Sequence, residues 1–132
     1  SEEETEIVYQ KSISEDVETS PATFDTAPIM VKISHYYPPA GGTNCSLFYY
    51  GDCISMMANG EDWRNYIDTN DTIACPRELE FGTRIMLDNN IYTCRDRGGA
   101  IVITENGEYW IDILGKEVPY SYGEVKEAEI IL

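Results

Sequence analysis

Apolar and polar residues change places at nearly every step between Ile85 and Cys94. Ile85 and Leu87, then Ile91 and Thr93, alternate with Met86, Asp88, Tyr92 and Cys94 across a Leu-Asp-Asn-Asn-Ile break. Period-two alternation on both sides of a short polar break predicts two antiparallel strands joined by a tight turn. Asp96-Arg97-Gly98-Gly99 follows at once. Paired glycines permit positive φ or close approach of another backbone, so a sharp turn that presents Asp96 is expected there. Ala100 to Thr104 and Tyr109 to Leu114 read as two further strands around the polar turn Glu105-Asn106-Gly107, and Asp112 interrupts the apolar run of the second.

Upstream, Val31 to Tyr37 alternates as a strand and is ended by Pro38-Pro39 and Gly41-Gly42. Glu61 to Asp68 is expected to make one or two helical turns, and Thr72 to Ala74 another strand. Val125 to Leu132 reads as a closing strand with Val125, Ala128, Ile130 and Leu132 on one buried face. The pattern is all-β apart from short helical turns, and no repeat of solenoid length interrupts it.

The first 28 residues have a different composition. They hold Glu2, Glu3, Glu4, Glu6, Glu15, Asp16, Glu18 and Asp25 against a single base, Lys11, and no glycine. The expected organisation is an acidic N-terminal extension over residues 1–28 and one domain over residues 29–132. Within the extension, Ile7, Val8, Tyr9 and Ile13 lie in a β-favouring context. Residues 5–13 are therefore a candidate for self-association, adding a strand to a neighbouring copy.

A length of 132 residues allows one domain with a real core. The net charge of −15 argues against sequence-independent nucleic-acid binding, which needs clustered Lys and Arg. No apolar run approaches the roughly 20 residues of a membrane span. A chain that begins with Ser is expected to be a mature form whose signal peptide has been removed, and hence secreted, extracellular or in the cell envelope. Cys45, Cys53, Cys75 and Cys94 include no Cys-x-x-Cys pair, and His35 is the one histidine, so a metal site is not expected. Two disulfides suit an exported chain better. Of the three possible connectivities, locality favours Cys45 with Cys53 and Cys75 with Cys94. His35 reads as a strand residue, since no nucleophile motif surrounds it.

Pro76, Phe81-Gly82-Thr83, a short hairpin, Asp96-x-Gly98-Gly99-Ala100-Ile101 and Ile111-Asp112-Ile113 occur in an order that resembles the three-aspartate "3D" domain. That domain belongs with the rare lipoprotein A-like double-psi β-barrels, related to membrane-bound lytic transglycosylase A. The resemblance spans Val31 to Leu132 and takes in Tyr36-Tyr37-Pro38 and Met57-Ala58-Asn59-Gly60. It implies a six-stranded double-psi β-barrel acting on glycan, with peptidoglycan as the substrate and no cofactor. It further implies that Asp112 is the proton donor and acceptor of a lytic transglycosylase, that Asp96 is its electrostatic partner, and that Tyr36, Tyr37, Gly60, Gly98 and Gly99 contact substrate. The pattern departs at Cys75, which stands where the family's first aspartate usually precedes the proline; Asp71 is a nearby substitute.

Two carboxylates facing one partly desolvated groove repel, so one keeps its proton to higher pH and can act as a general acid. The competing reading of both acids is structural: Asp96 accepting hydrogen bonds from turn amides, and Asp112 closing a loop onto backbone N–H groups. A non-catalytic protein of the same barrel would be a saccharide-binding module or a subunit of an extracellular assembly joined through its N-terminal strand. Phe48, Tyr49, Tyr50, Trp63 and Tyr66 are candidates for stacking on sugar rings or for ordinary packing. Asn44 and Asn70 each begin an N-glycosylation pattern.

Overall fold

The computed structural model describes residues 25–132. The proposed self-association segment, residues 5–13, lies outside the described residues. Eight strands follow one another: β1 (Thr26–Tyr36), β2 (Phe48–Tyr49), β3 (Asp52–Cys53), β4 (Thr72–Ala74), β5 (Arg84–Leu87), β6 (Asn90–Asp96), β7 (Tyr109–Leu114) and β8 (Glu124–Ile131). Six close into a barrel in the order β1-β7-β4-β6-β5-β8, and β2 pairs with β3 as a separate hairpin. The helical turns among the described residues are three short 3-10 segments, Pro38–Ala40, Gly42–Asn44 and Trp63–Asn65.

The barrel carries an internal two-fold relationship. Divide its strands into a first half (β1, β4, β5) and a second half (β6, β7, β8). Exchanging the halves turns the parallel pair β1·β7 into the parallel pair β6·β4, and the antiparallel pair β1·β8 into β6·β5. The antiparallel pairs β4·β7 and β5·β8 map onto themselves. Two parallel pairs related in this way within a closed six-stranded barrel match the double-psi arrangement expected from the sequence. Closure leaves no unpaired sheet edge in the barrel itself.

Alternation on each strand fills the interior. Val31 and Ile33 of β1, Ile73 of β4, Ile85 and Leu87 of β5, Tyr92 and Cys94 of β6 and Ile111 and Ile113 of β7 form one buried cluster. A fully buried side chain of this size stabilises the fold by about 1.5–3 kcal/mol. The β5–β6 hairpin turns at Asp88 and Asn89, both with positive φ (50° and 70°), the conformation of a two-residue turn that matches strand twist. A second cluster of Cys53, Met57, Trp63 and Leu114, with Tyr36 packed against it, fixes the long β1–β4 connection to the barrel.

Both expected disulfides form, Cys45–Cys53 within the β2–β3 region and Cys75–Cys94 in the core. Two elements differ from expectation. Ala100 to Thr104 is not a strand; its contribution to pairing is one isolated bridge, Ile103 to Tyr109, because Ile101 turns back on Gly98 through a backbone hydrogen bond of 3.0 Å. Glu61 to Asp68 makes one helical turn, as expected: Trp63–Asn65, capped by the Asp62 carboxylate accepting from the Arg64 N–H. In β8, Ala128 and Ile130 reach the core, whereas Val125 and Leu132 are exposed, since Val125 has the opposite parity and Leu132 follows the strand.

Candidate functional site

The outward face of β1 and β7 carries the chemistry. Ile111 and Ile113 point into the barrel, so Trp110 and Asp112 share the outer surface. Parallel pairing with β1 sets Ser34 opposite Asp112 and Lys32 opposite Trp110. The Trp110 indole Nε1–H donates to Ser34 Oγ (2.9 Å), and the Ser34 hydroxyl donates to Asp112 Oδ1 (2.8 Å). The Lys32 ammonium lies 4.9 Å from the Trp110 ring centre, and Tyr122 meets that ring edge-on at 5.8 Å.

Asp96 arrives on the same face by a different route. By strict alternation it would follow Tyr92 and Cys94 inward. The β4·β6 register runs Ile73 to Cys94 and then Ala74 to Asp96, so Arg95 is an extra residue and the strand bulges. A bulge of this kind re-aims the side chain beyond it. Ala74 also pairs with Asp112 on its other side, so the two acids flank one alanine, with backbones roughly 10 Å apart at two strand spacings. Asp96 accepts three hydrogen bonds: Oδ2 takes the Tyr36 hydroxyl (2.8 Å), and Oδ1 takes the N–H groups of Ala58 and Arg97 (both 2.8 Å).

The electrostatics separate the roles. Burial pushes the Asp112 carboxyl up to about 6, the Ser34 hydrogen bond pulls against that shift, and the charge of Asp96 adds to it. The Tyr36 phenol is raised far above its ordinary range, first by burial and then by the charge and hydrogen bond of Asp96, so it remains a proton-bearing donor. Asp112 is therefore a partly buried acid that titrates near neutrality, beside an acid committed to three donors.

A groove of about 440 Å³ opens over Asp112, lined also by Ser34, Tyr36, Asn44, Gly98, Gly99, Trp110 and Tyr122. Of the residues assigned to substrate from the sequence, Tyr36, Gly98 and Gly99 line it. Tyr37 and Gly60 do not: the Tyr37 N–H donates to Asn44 Oδ1, and Gly60 closes the turn behind Ala58. The Asn44 side chain is engaged in its own loop, also donating to the Gly41 carbonyl (2.9 Å), whereas Asn70 is exposed at a left-handed turn. Asp71 accepts from Thr69, Thr72 and Arg95 and does not line the groove. His35 pairs with Ile113 in register, stacks on Tyr120 at 6.1 Å, and has its pKa lowered by burial.

The aromatic candidates fall elsewhere. Phe48, Tyr49 and Tyr50 are exposed on the small hairpin, Trp63 is buried, and Tyr66 lies under the Arg95 guanidinium at 4.1 Å. Ser34, Trp110 and Tyr122 are groove residues outside the sequence-based candidates. Parity was the available signal for two of them, because Trp110 shares a face with Asp112 on β7, and Ser34 with Tyr36 on β1. Tyr122 comes from the β7–β8 connection, and no periodicity marks it.

An all-β double-psi barrel with one perturbed acid in an aromatic-flanked groove is the class that fold and site define. No protein-family model and no curated protein matches the chain.

Proposed function

We propose that this protein cleaves the β-1,4 glycosidic bond of peptidoglycan by the lytic transglycosylase reaction, with Asp112 as both acid and base. The observation that carries the reading is Asp112 itself: a groove carboxyl raised to about 6, held by Ser34 and facing open space. Below that value it bears a proton for the leaving sugar oxygen, which departs as a hydroxyl when the anomeric C–O bond breaks. The resulting carboxylate then takes the proton of the muramyl 6-hydroxyl as that oxygen bonds to the anomeric carbon. The products are a free 4-hydroxyl end and a 1,6-anhydro end. No water is consumed, and Asp112 returns to its starting state.

Asp96, held by the Tyr36 hydroxyl and the Ala58 and Arg97 N–H groups, serves in this scheme as the electrostatic partner. Its charge keeps Asp112 protonated longer and favours the positive charge that develops at the sugar ring. Trp110 and Tyr122 offer faces for the C–H surfaces of pyranose rings. The same reading places the protein in the cell envelope or outside the cell, where two disulfides persist.

A saccharide-binding module without cleavage is the second reading, favoured by Cys75. That residue takes the place of an acid in the related pattern and is bound to Cys94.

Digestion of purified peptidoglycan decides between them. Mass spectrometry should detect 1,6-anhydro muropeptides from the wild type, and Asp112→Asn should lose at least about 100-fold in rate, the lower range for general acid catalysis. A well-folded wild type that releases no anhydro product from several peptidoglycan types would overturn the cleavage reading in favour of binding alone.

A further inference from the structure

Beside the Asp112 groove lies a second hollow of about 470 Å³, and the two share Gly98, Gly99 and Ile101. The segment 43–46 also contributes to each, Thr43 and Asn44 to the Asp112 groove and Ser46 to the second hollow. The two hollows therefore adjoin, with the glycine pair and Ile101 as their shared lining.

The two glycines are not equivalent. A Cβ on Gly98 would stand 2.8 Å from Ile101 Cγ1, so packing excludes a side chain there. A Cβ on Gly99 would meet nothing within 4 Å, and its backbone is not in the left-handed region. Neither conformation nor packing needs a glycine at 99. A bare backbone where the two hollows adjoin keeps side-chain bulk out of the space an extended ligand would cross.

The far hollow is positive in a chain of net charge −15. It is lined by Arg77 and Arg97 against one acid, Glu78. Arg97 is already spent on the carbonyls of Cys75, Pro76 and Leu79 and stacks 4.1 Å over Phe81. Arg77 is exposed and has no such partner among the described residues, so its guanidinium is the group left to meet an anion. A planar guanidinium fits a carboxylate with two parallel hydrogen bonds.

We infer that Gly99 and Arg77 form an acidic-substituent subsite: a glycan chain seated at Asp112 crosses Gly99 and places a carboxylate-bearing sugar against Arg77. The inference rests on the glycan-cleavage reading above and specifies what the substrate must carry beyond the scissile bond.

Calorimetric titration of the full chain carrying Asp112→Asn, which prevents turnover, tests it with two ligands of equal length. One is a tetrasaccharide of alternating N-acetylglucosamine and N-acetylmuramic acid; the other is the carboxylate-free tetrasaccharide of N-acetylglucosamine. The acidic ligand should bind about tenfold more tightly, as one charge-assisted contact allows, and Arg77→Gln should narrow the ratio to about twofold. Gly99→Val should weaken the acidic ligand by about tenfold with an unchanged melting temperature, since its side chain enters open space. Equal binding of the two ligands, or a ratio that survives Arg77→Gln, overturns the subsite and leaves the groove reading standing. Binding of neither ligand overturns both.

Discussion

Ser34 stands directly across the β1–β7 register from Asp112 and donates its hydroxyl hydrogen to that carboxyl at 2.8 Å. The bond favours the ionised form and so opposes the burial that raises the group. Removing it in Ser34→Ala leaves desolvation unopposed. A hydrogen bond worth about 1 kcal/mol corresponds to roughly 0.7 of a pKa unit. The titration of Asp112 should move upward by about that amount, read from its carboxyl carbon resonance by NMR, and the alkaline limb of any catalytic pH profile should move with it. An unmoved or lowered titration would mean that Ser34 does not act on the ionised form.

Tyr36 ties β1 to the carboxylate that the β6 bulge turns outward. Its hydroxyl is one of three donors to Asp96; the other two, the N–H groups of Ala58 and Arg97, come from separate segments. Tyr36→Phe should cost about 1.5–3 kcal/mol in denaturant unfolding, the range for a hydrogen bond to a charged group. Because the phenol is raised above its ordinary range, the cost should be the same from pH 6 to pH 9. The Ala58 amide should also exchange faster in the variant. A neutral substitution would show that the two backbone donors alone hold Asp96.

The two disulfides should differ in what they stabilise. Cys75 and Cys94 are both fully buried in the barrel core and 19 residues apart, whereas Cys45 and Cys53 close a loop of separation 8, with Cys53 buried in the second cluster and Cys45 only partly buried against it. Chain entropy alone gives about 3 kcal/mol for the longer loop and about 2.5 for the shorter. Replacing the core pair with alanines empties packed volume at two fully buried positions, against one for the other pair, so Cys75→Ala/Cys94→Ala should lose more stability than Cys45→Ala/Cys53→Ala. Equal losses in paired urea titrations would mean that the core closes over the missing sulfurs.

The parts of this molecule legible in its sequence are those governed by simple alternation. The β5–β6 hairpin, the inward isoleucines of β7 and the locality of both disulfides follow from period-two patterning and short spacing. The outward position of Asp96 does not, because it depends on the extra residue Arg95 in a register that β4 imposes from more than 20 residues away. Ala100 to Thr104 has the composition of a strand, yet the Gly98–Ile101 turn takes it off the sheet and makes it a wall of the groove. Ser34 and Trp110 become site residues through cross-strand pairing with β1, a relationship that a single strand's pattern does not contain. Tyr122 reaches the groove from a connection with no strand period at all.

Asp112 should make the fold less stable as pH rises, opposite to the usual behaviour of a paired carboxylate. Its folded value is about 6, against an ordinary 3.8. Between those values the folded state binds more protons than the unfolded chain, so stability falls with increasing pH. The contribution is fully present below about 3.8 and is lost by the time pH passes 6. Asparagine keeps an oxygen for the Ser34 hydroxyl and carries no charge to desolvate. Asp112→Asn should therefore match the wild type near pH 4 and exceed it at pH 7.5 by on the order of 2 kcal/mol, after allowance for solvent screening. Denaturant midpoints at the two pH values measure this directly. A variant that gains nothing at pH 7.5 would mean that Asp112 is solvated as an ordinary surface acid, and the same result would remove the physical basis for its role as a proton donor.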